Sequence, residues 1–346
     1  MTTSINLIHS FPNDPPSVKN IKQTLDYIED FSVSYYSLRS PGYTRFRKLI
    51  STITLPFNTI DAIFKTKFDS DILIIHKTIT PVDIPVLEQL FANFDKVVYS
   101  TYDADYVNKP QSVTYLFKNV DLVWATSHAI QQRARRITSD VSFIPPSVNT
   151  EFFSPAKERN KPYLETNEAD IILGWVGNAE VHIDNLKLMA DRIDGIADCN
   201  IYLRILGGGE LPKKIRSILE DAVGELEDIG WVKRNKVPSI IRSFDAGLAP
   251  LINKPKYRGC SSEKIREYMA CGIPVIASNV GENPYLLPSS AGYLVESSSE
   301  WKNAIRELSN NKKLRNDMGQ SGRQYVRDHY SVPTVAEKAK THLKKL

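Results

Sequence analysis

Short apolar runs alternate with amphipathic helical patterns along most of the chain, and this alternation constrains the fold more than any other feature. In the first half, strand-like runs occupy residues 5–8, 31–36, 72–75, 96–99, 122–125 and 142–144, with helical patterns at 17–30 and 85–94. In the second half, strand-like runs occupy residues 171–176, 201–206, 226–230, 246–249 and 274–277. Strands separated by helices pair in parallel, so we expect an α/β protein.

A polar stretch with two prolines, residues 154–168, separates the two sets of strands and reads as a linker. The length of 346 residues suffices for two domains, each with its own core. We therefore predict an N-terminal Rossmann-like domain at 1–155, a linker at 156–168 and a second Rossmann-like domain at 169–330. Ligands of such sheets bind beyond the carboxyl ends of the strands, so the two parallel sheets are expected to face a central cleft.

Composition indicates a soluble globular protein, with 42% hydrophobic and 24% charged residues. A net charge of +4 is too small to indicate nucleic acid, but it permits anionic partners. No run approaches the ~18 apolar residues of a membrane span, and the N-terminus lacks the features of a signal peptide. Few cysteines in an odd number favour a reducing compartment: Cys199, Cys260 and Cys271. We expect a cytoplasmic location, at most peripheral to a membrane.

Residues 258–283, RGCSSEKIREYMACGIPVIASNVGEN, read as loop, helix, tight turn, buried strand and glycine loop. Ser261 or Ser262 can cap the start of the helix by accepting a hydrogen bond from a free backbone N–H. Gly272 suits the left-handed position after the helix, and Pro274 prevents its continuation. The apolar run that follows is typical of a strand buried on both faces.

Two side chains on this helix, Lys264 and Glu267, are three residues apart and project from one face of its first turn. A helix N-terminus attracts phosphate through its free N–H groups and its dipole. The lysine adds positive charge, and the carboxylate can accept hydrogen bonds from sugar hydroxyls. The pattern suits a nucleoside diphosphate, although a solvent-facing ion pair on an ordinary helix has the same spacing.

The segment KIREYMACGIPVIASNVGEN closely resembles the donor-binding segment of GT-B glycosyltransferases of the GT4/GT1 type, the glycosyl transferases group 1. The resemblance implies a GT-B fold, a nucleotide-sugar donor and transfer with retention. It implies that Glu267 contacts the ribose and that Lys264 and Arg258 neutralise the leaving diphosphate. The further donor contacts implied near this helix are Ser261, Ser262 and Asn283. Lys254 and Lys256 could add charge, or could lie on a solvated loop.

Three further loops in the second half follow strands. Gly177 and Asn178 are predicted donor contacts, whereas the glycines at 207–209 are more typical of a tight turn. The loop GWVKRNKVPSIIRSFDAGLAPL resembles the family segment in which the backbone around Val232 and Lys233 meets the base. Asp245 would then be structural.

The chain departs from its better-known relatives at two places. Those relatives carry two glutamates eight positions apart; Glu267 matches the second, but Gly259 replaces the first. The Arg and Lys that usually follow the first strand of the second domain are also missing. Asn178, Glu180 and His182 occupy that region instead.

The first half resembles the family more loosely, through LVWATSHAI and VSFIPPSVNTEFFSP. Asp103 lies where relatives place a His or Asp near the donor sugar, although a structural carboxylate is the alternative. Asp103 and Asp105 also form an Asp-x-Asp pattern typical of metal sites in the GT-A fold, but GT-B enzymes work without a protein-bound metal, so we expect no metal and no cofactor.

His9 and Ser10 are candidate acceptor-side residues, or a simple turn. The family pattern also predicts that residues 331–346 cross back onto the first domain.

Residues 45–68 mix five basic residues with Leu, Ile and Phe, a composition suited to anionic membrane surfaces. Pro56 breaks any single helix there, and an ordinary domain helix is the alternative.

The function we predict is sugar transfer from a nucleotide-sugar donor to a glycan or lipid-linked acceptor. The alternatives are a nucleotide-sugar epimerase or hydrolase on the same fold, and a noncatalytic donor-binding subunit.

Overall fold

The computed structural model describes residues 3–9, 16–37, 70–77, 88, 91–155, 171–207, 211–223 and 225–346. These residues divide between two compact units. The first unit comprises the chain up to Ser147 together with Arg258–Ser261 and Val332–Leu346. The second unit comprises Val148–Tyr257 and Ser262–Ser331.

The first unit is built on a six-stranded parallel sheet in the order β2-β1-β3-β4-β5-β6. Its strands are β1 (Thr3–His9), β2 (Phe31–Ser37), β3 (Ile72–His76), β4 (Lys96–Thr101), β5 (Leu122–Ala125) and β6 (Val141–Phe143). Its described helices are α1 (Pro16–Asp26), α2 (Asp105–Asn108), α3 (Pro110–Asn119), α4 (His128–Arg135) and α13 (Val332–Leu343). Strand order reverses at β1, so β1 and β3 border the switch point, where sheets of this type bind ligands.

Helices cover both faces of the first sheet, which explains the continuous apolar runs of its strands. On one face, α13 packs against α1, and Val335 and Ala339 join the core formed by Leu25 and Ile74. At the rim of this contact, Lys340 bonds Asp30 at 2.9 Å, an exposed pair that adds little stability. The helix α13 is therefore an integral layer of the first unit.

The second unit is built on another six-stranded parallel sheet, in the order β12-β11-β10-β7-β8-β9. Its strands are β7 (Ile171–Val176), β8 (Ile201–Leu206), β9 (Glu225–Gly230), β10 (Ala246–Ala249), β11 (Val275–Ser278) and β12 (Gly292–Val295). Its helices are α5 (Ile183–Ile193), α6 (Lys213–Val223), α7 (Val237–Ile241), α8 (Pro255–Arg258), α9 (Glu263–Ala270), α10 (Asn283–Leu286), α11 (Ser298–Asn310) and α12 (Lys312–Tyr330), with a 3₁₀ turn at Arg234–Lys236. The switch point lies between β7 and β10.

Each face of the second sheet carries its own apolar layer. Helices α5, α6 and α11 cover one face, around Leu186, Leu219 and Trp301. On the other face, α9 is almost wholly buried and packs against β10 and α12. Burial of α9 on most sides fixes its position, and therefore the position of the polar residues that it carries.

The predicted fold class is confirmed, since both halves contain parallel six-stranded sheets covered by helices. The eleven predicted strands are all present, and the bounds of 122–125, 171–176, 201–206 and 246–249 are reproduced without change. The strand β12 was missed; it has only four residues, GYLV, and the middle two are not buried. Several predictions lie outside the described residues: Ser10, the linker at 156–168, residues 208 and 209, the basic segment 45–68 and half of 85–94.

Candidate functional site

The loop after β7 lies at the switch point of the second sheet, and its backbone packs closely against neighbouring residues. A Cβ added to Gly177 would lie 2.8 Å from the ring of Trp175 and 3.3 Å from Nζ of Lys264. A Cβ added to Gly207 would lie 2.0 Å from the carbonyl oxygen of Gly177. No side chain fits at either position, so the two glycines are required for the close approach of β7 and β8 at this edge.

Lys264 lies over the face of Trp175, with Nζ 4.4 Å from the ring centroid. This is a cation–π contact, and burial of the indole strengthens it because the ring is shielded from water. The indole Nε1 of Trp175 has no hydrogen-bond partner within the described residues. The lysine ammonium is thereby held beside Gly177, at the carboxyl end of β7.

A buried tyrosine ties α9 to the sheet. The Tyr268 hydroxyl accepts a hydrogen bond from the Val176 N–H at 2.8 Å and donates to the Leu248 carbonyl at 3.4 Å. Burial raises the pKa of Tyr268 far above its usual value, so the hydroxyl keeps its proton and can make both bonds. Tyr268 therefore locks the position of Lys264, one turn earlier on α9, relative to β7 and β10.

The second predicted donor contact on this helix, Glu267, is engaged with another side chain. Its Oε1 accepts a hydrogen bond from Arg234 Nη2 at 2.6 Å, and the arginine also lies 4.8 Å from the ring centroid of Phe153. The carboxylate is largely buried, whereas the arginine is half exposed. The sequence predicted a sugar-binding carboxylate at this position; in the structure the Arg234 guanidinium is paired with it.

The capping prediction for Ser262 is wrong. Ser262 is the N-cap residue of α9, but it adopts a left-handed conformation (φ 56°, ψ 41°) and makes no side-chain cap hydrogen bond. Its hydroxyl donates instead to Asn283 Oδ1 at 2.6 Å, and Asn283 Nδ2 donates to the Ser278 carbonyl at 2.9 Å. These bonds connect the start of α9 to the loop after β11, which favours a structural role for both side chains.

The loop after β7 lacks the Arg and Lys of the better-known relatives, and its own polar groups order it. Asn178 is exposed, and its Oδ1 accepts a hydrogen bond from the Val181 N–H at 3.2 Å. His182 lies partly buried near Lys264 and Lys256, and burial followed by these two charges lowers the pKa of His182 to about 3. Lys254 pairs with Asp184 at 2.9 Å on the surface, as expected of a solvated loop.

The loop after β9 places Val232 and Lys233 beyond the end of that strand. Lys233 is exposed, whereas Val232 packs partly against the core below α9. Asp245 is buried, and its Oδ2 accepts a hydrogen bond from the Ile172 N–H at 3.0 Å. The structural role predicted for Asp245 agrees with this bond between β7 and the start of β10.

The remaining predicted residues lie in the first unit. Asp103, after β4, forms an ion pair with Lys77, whose backbone is left-handed (φ 66°) and whose Nζ also lies 5.3 Å from the Tyr102 ring centroid. His9 ends β1 and is aligned with His76 at the switch point of the first sheet. Burial, then the charge of Lys77, lowers the pKa of His76 well below its usual value.

Arg258 and Ser261 also belong to the first unit, because the short segment around them packs there. A Cβ added at Gly259 would lie 2.7 Å from Cβ of Ala104 and 3.0 Å from its Cα, so no glutamate fits where relatives carry one. The Gly259 carbonyl accepts a hydrogen bond from Ser127 at 3.1 Å. No cluster of His, Cys, Asp and Glu suited to a metal ion occurs in the described parts of the chain.

Sequence reasoning missed three residues of the site: Trp175, Tyr268 and Arg234. Trp175 could have been found from its place two residues before Gly177, at the end of a strand. Arg234 lies in the loop already predicted to meet the base. No sequence signal distinguished Tyr268 from an ordinary core residue, since its hydroxyl contacts depend on the packing of α9.

The two parallel sheets, with a glycine loop and a lysine-bearing helix at the switch point of the second, define a protein of the GT-B class. Residues 170–311 match the family model described as glycosyl transferases group 1, which confirms the resemblance predicted from the sequence. An uncharacterized glycosyltransferase of Methanocaldococcus jannaschii is 28% identical over 163 residues. That match covers 46% of this chain and 44% of the archaeal protein, less than half of either.

Solved structures share the fold over nearly the whole chain. Sucrose-phosphate synthase from Thermosynechococcus elongatus superposes with a TM-score of 0.78 at 17% identity, covering 99% of this chain and 98% of that one. Anabaena HepE, in complex with UDP and glucose, gives a TM-score of 0.73 at 13% identity, with 99% of each chain covered. At this level of identity the likeness shows the fold alone.

Within the described residues, no helix has the length and apolarity needed to cross a bilayer.

Proposed function

We propose that this protein transfers a sugar from a nucleoside diphosphate sugar to an acceptor. The observation that carries the proposal is the position of Lys264, held over Trp175 beside the bare backbone of Gly177. A cation next to accessible backbone at a sheet's switch point suits a diphosphate. Glu267, one turn further along α9, is the carboxylate that would accept hydrogen bonds from the ribose.

The chemistry proposed for Lys264 is stabilisation of the departing diphosphate. When the sugar–phosphate bond breaks, negative charge grows on the phosphate oxygens, and a fixed ammonium lowers the energy of that state. Trp175 and Tyr268 hold the ammonium in place, so little reorganisation is needed. We further propose that anomeric configuration is retained and that neither a metal nor another cofactor takes part.

The acceptor and the location are also proposals. An acceptor-side role for His9 is supported by its place at the switch point of the first sheet. Asp103, held by Lys77, would lie near the donor sugar. We propose a glycan or lipid-linked acceptor and a cytoplasmic enzyme that contacts an anionic membrane surface through residues 45–68.

The experiment that tests the function is a thermal-shift screen of nucleotide sugars, followed by product analysis. A ligand at about 100 times its dissociation constant raises the free energy of unfolding by about 2.7 kcal/mol, so a true donor gives a clear shift in Tm. UDP-glucose is a sensible first probe, because HepE was crystallised with it. Stabilisation without turnover would favour a noncatalytic subunit, and release of free sugar without any acceptor would favour a hydrolase. If no nucleotide sugar stabilises the protein, the proposal is wrong.

A further inference from the structure

His182 lies between two aromatic rings, and a lysine ammonium lies over the face of each ring. Its ring centroid is 5.9 Å from that of Trp175, in an edge-to-face arrangement, and 6.1 Å from that of Tyr257, in a stacked one. Lys264 Nζ lies 4.4 Å from the Trp175 centroid, and Lys256 Nζ lies 4.4 Å from the Tyr257 centroid. The imidazole therefore lies beside the two lysines at the carboxyl end of β7. Among the described residues, it contacts no carboxylate.

The hydrogen bonds around Asn185 determine which nitrogen of His182 carries the proton. The Ile252 N–H, which can only donate, lies 2.9 Å from one atom of the Asn185 amide, so that atom is the oxygen. The amide nitrogen then faces His182 Nδ1 at 2.9 Å, and an NH₂ group can only donate. Nδ1 therefore accepts, and the proton of the neutral imidazole is on Nε2.

The same contacts oppose protonation of His182. An imidazolium would place an N–H on Nδ1 against the Asn185 NH₂ group, and a flip of the fully buried amide would leave the Ile252 N–H without its acceptor. Burial acts in the same direction, as do Lys264 from α9 and Lys256 from α8, which together lower the pKa of His182 to about 3. Trp175 and Tyr257, the other neighbours of the ring, add no positive charge.

We propose that His182 binds the nucleotide donor, donating a hydrogen bond from Nε2 to a phosphate oxygen while remaining uncharged. The inference rests on the proposed function. Within the described residues, Nε2 makes no hydrogen bond that would compete with a ligand. Two lysines already supply the positive charge that a diphosphate needs. A neutral N–H donor fixes the direction of a hydrogen bond to the phosphate without adding to the repulsion between positive charges. The lysines come from α8 and α9, and His182 supplies a directed hydrogen bond.

The proton position can be tested without any ligand, by NMR of protein labelled with ¹⁵N in its histidines. The His182 shifts should show a protonated Nε2 and a bare Nδ1, unchanged between pH 5 and pH 8. Asn185→Asp replaces the amide donor by an acceptor, so Nδ1 should gain a proton and His182 should titrate at a higher pH. A wild-type His182 that titrates near its ordinary pKa, or that is protonated on Nδ1, would overturn the inference.

The binding role is tested by calorimetry with UDP and GDP as probes. His182→Leu should weaken binding of the preferred nucleotide about tenfold or more, since a hydrogen bond to a charged group is lost. His182→Gln keeps an N–H at similar reach and should recover most of the affinity. His329→Leu, which changes an exposed histidine on α12, is the matched control and should bind as wild type does.

The outcomes separate this inference from the proposed function. If the wild-type protein binds nucleotide and His182→Leu binds it equally well, His182 is not a ligand residue, while the donor site remains. If the wild-type protein binds neither nucleotide and no nucleotide sugar stabilises it in the thermal-shift screen, the proposed function fails, and the phosphate contact of His182 fails with it. The NMR result still decides the proton position in that case.

Discussion

Arg234 and Glu267 form an ion pair across the second unit, with Nη2 2.6 Å from Oε1. The carboxylate is nearly buried, whereas the guanidinium is half exposed. A ribose that binds Glu267 must replace this bond or share the carboxylate with it. The charge-assisted hydrogen bond therefore holds the carboxylate in one orientation before the donor arrives.

Glu267→Ala should weaken nucleotide binding about tenfold or more, because a charge-assisted hydrogen bond contributes about 1.5–3 kcal/mol. Calorimetry with UDP and GDP measures this, and Glu220→Ala, on the surface of α6, is the control that should leave affinity unchanged. The melting temperature should stay close to that of the wild type. Unchanged affinity in a folded Glu267→Ala protein would exclude the ribose contact.

Lys264→Met should lower turnover far more than donor affinity. The interaction of this lysine with the diphosphate strengthens as the leaving group gains charge, so its loss acts mainly on the transition state. Removal of one such stabilising group typically costs about 100-fold in kcat. Steady-state kinetics with the donor found in the screen gives the answer, and Lys313→Met on exposed α12 is the control. A change confined to KM would contradict the role.

Asp245→Ala should destabilise the second unit severely. The side chain accepts the Ile172 N–H and lies 3.5 Å from Arg315, in a pair buried on both sides. Loss of one partner from a buried pair costs about 3–5 kcal/mol, because the other charge is left uncompensated. Chemical denaturation measures the change. Asp317→Ala, which breaks an exposed pair with Lys313, should have almost no effect; equal losses in the two variants would show that burial is not the cause.

Chelator treatment tests the proposed metal independence. Activity should be unchanged after treatment with EDTA, since Lys264 and its neighbours supply the positive charge for the diphosphate. In the structure Asp103 is paired with Lys77, which gives its carboxylate a cation without a metal. Loss of activity that a divalent ion restores would instead support a metal site at Asp103 and Asp105.

Vesicle sedimentation tests the membrane proposal for residues 45–68. Each basic residue near an anionic surface adds about 1 kcal/mol, and salt screens that attraction. The protein should bind anionic but not neutral vesicles, less strongly as salt rises. Replacement of Arg45, Arg47 and Lys48 by Gln should reduce binding, whereas replacement of Arg133, Arg135 and Arg136, at the end of α4, should not. A wild-type protein that stays in the supernatant at low salt would favour a soluble acceptor.

The sequence predicted the strands well because most of them are short apolar runs buried on both faces, a pattern that depends only on neighbouring residues; β9 (ELEDIG) and β2 (FSVSYYS) are the exceptions. It also found Lys264, since the helix start and the turn after it are local features. It could not find the partner of Glu267, because Arg234 is 33 positions away, in the turn after β9, and meets Glu267 only in the folded second unit. The conformation of Ser262 was missed for the same reason: its hydroxyl prefers Asn283, 21 residues further along, to the N–H groups of its own helix.

The helix α13 supplies part of the core of the first unit, although it is the last described element of the chain. Val335, Ala336, Ala339 and Leu343 complete an apolar layer whose other members begin at Ile5. On the ribosome, the first six strands therefore emerge early but cannot close their core until every residue of the second unit has been made. Domains usually fold in the order of synthesis; here part of one apolar layer of the first unit is made after the second unit, so that layer stays incomplete until residues 332–343 have been synthesised.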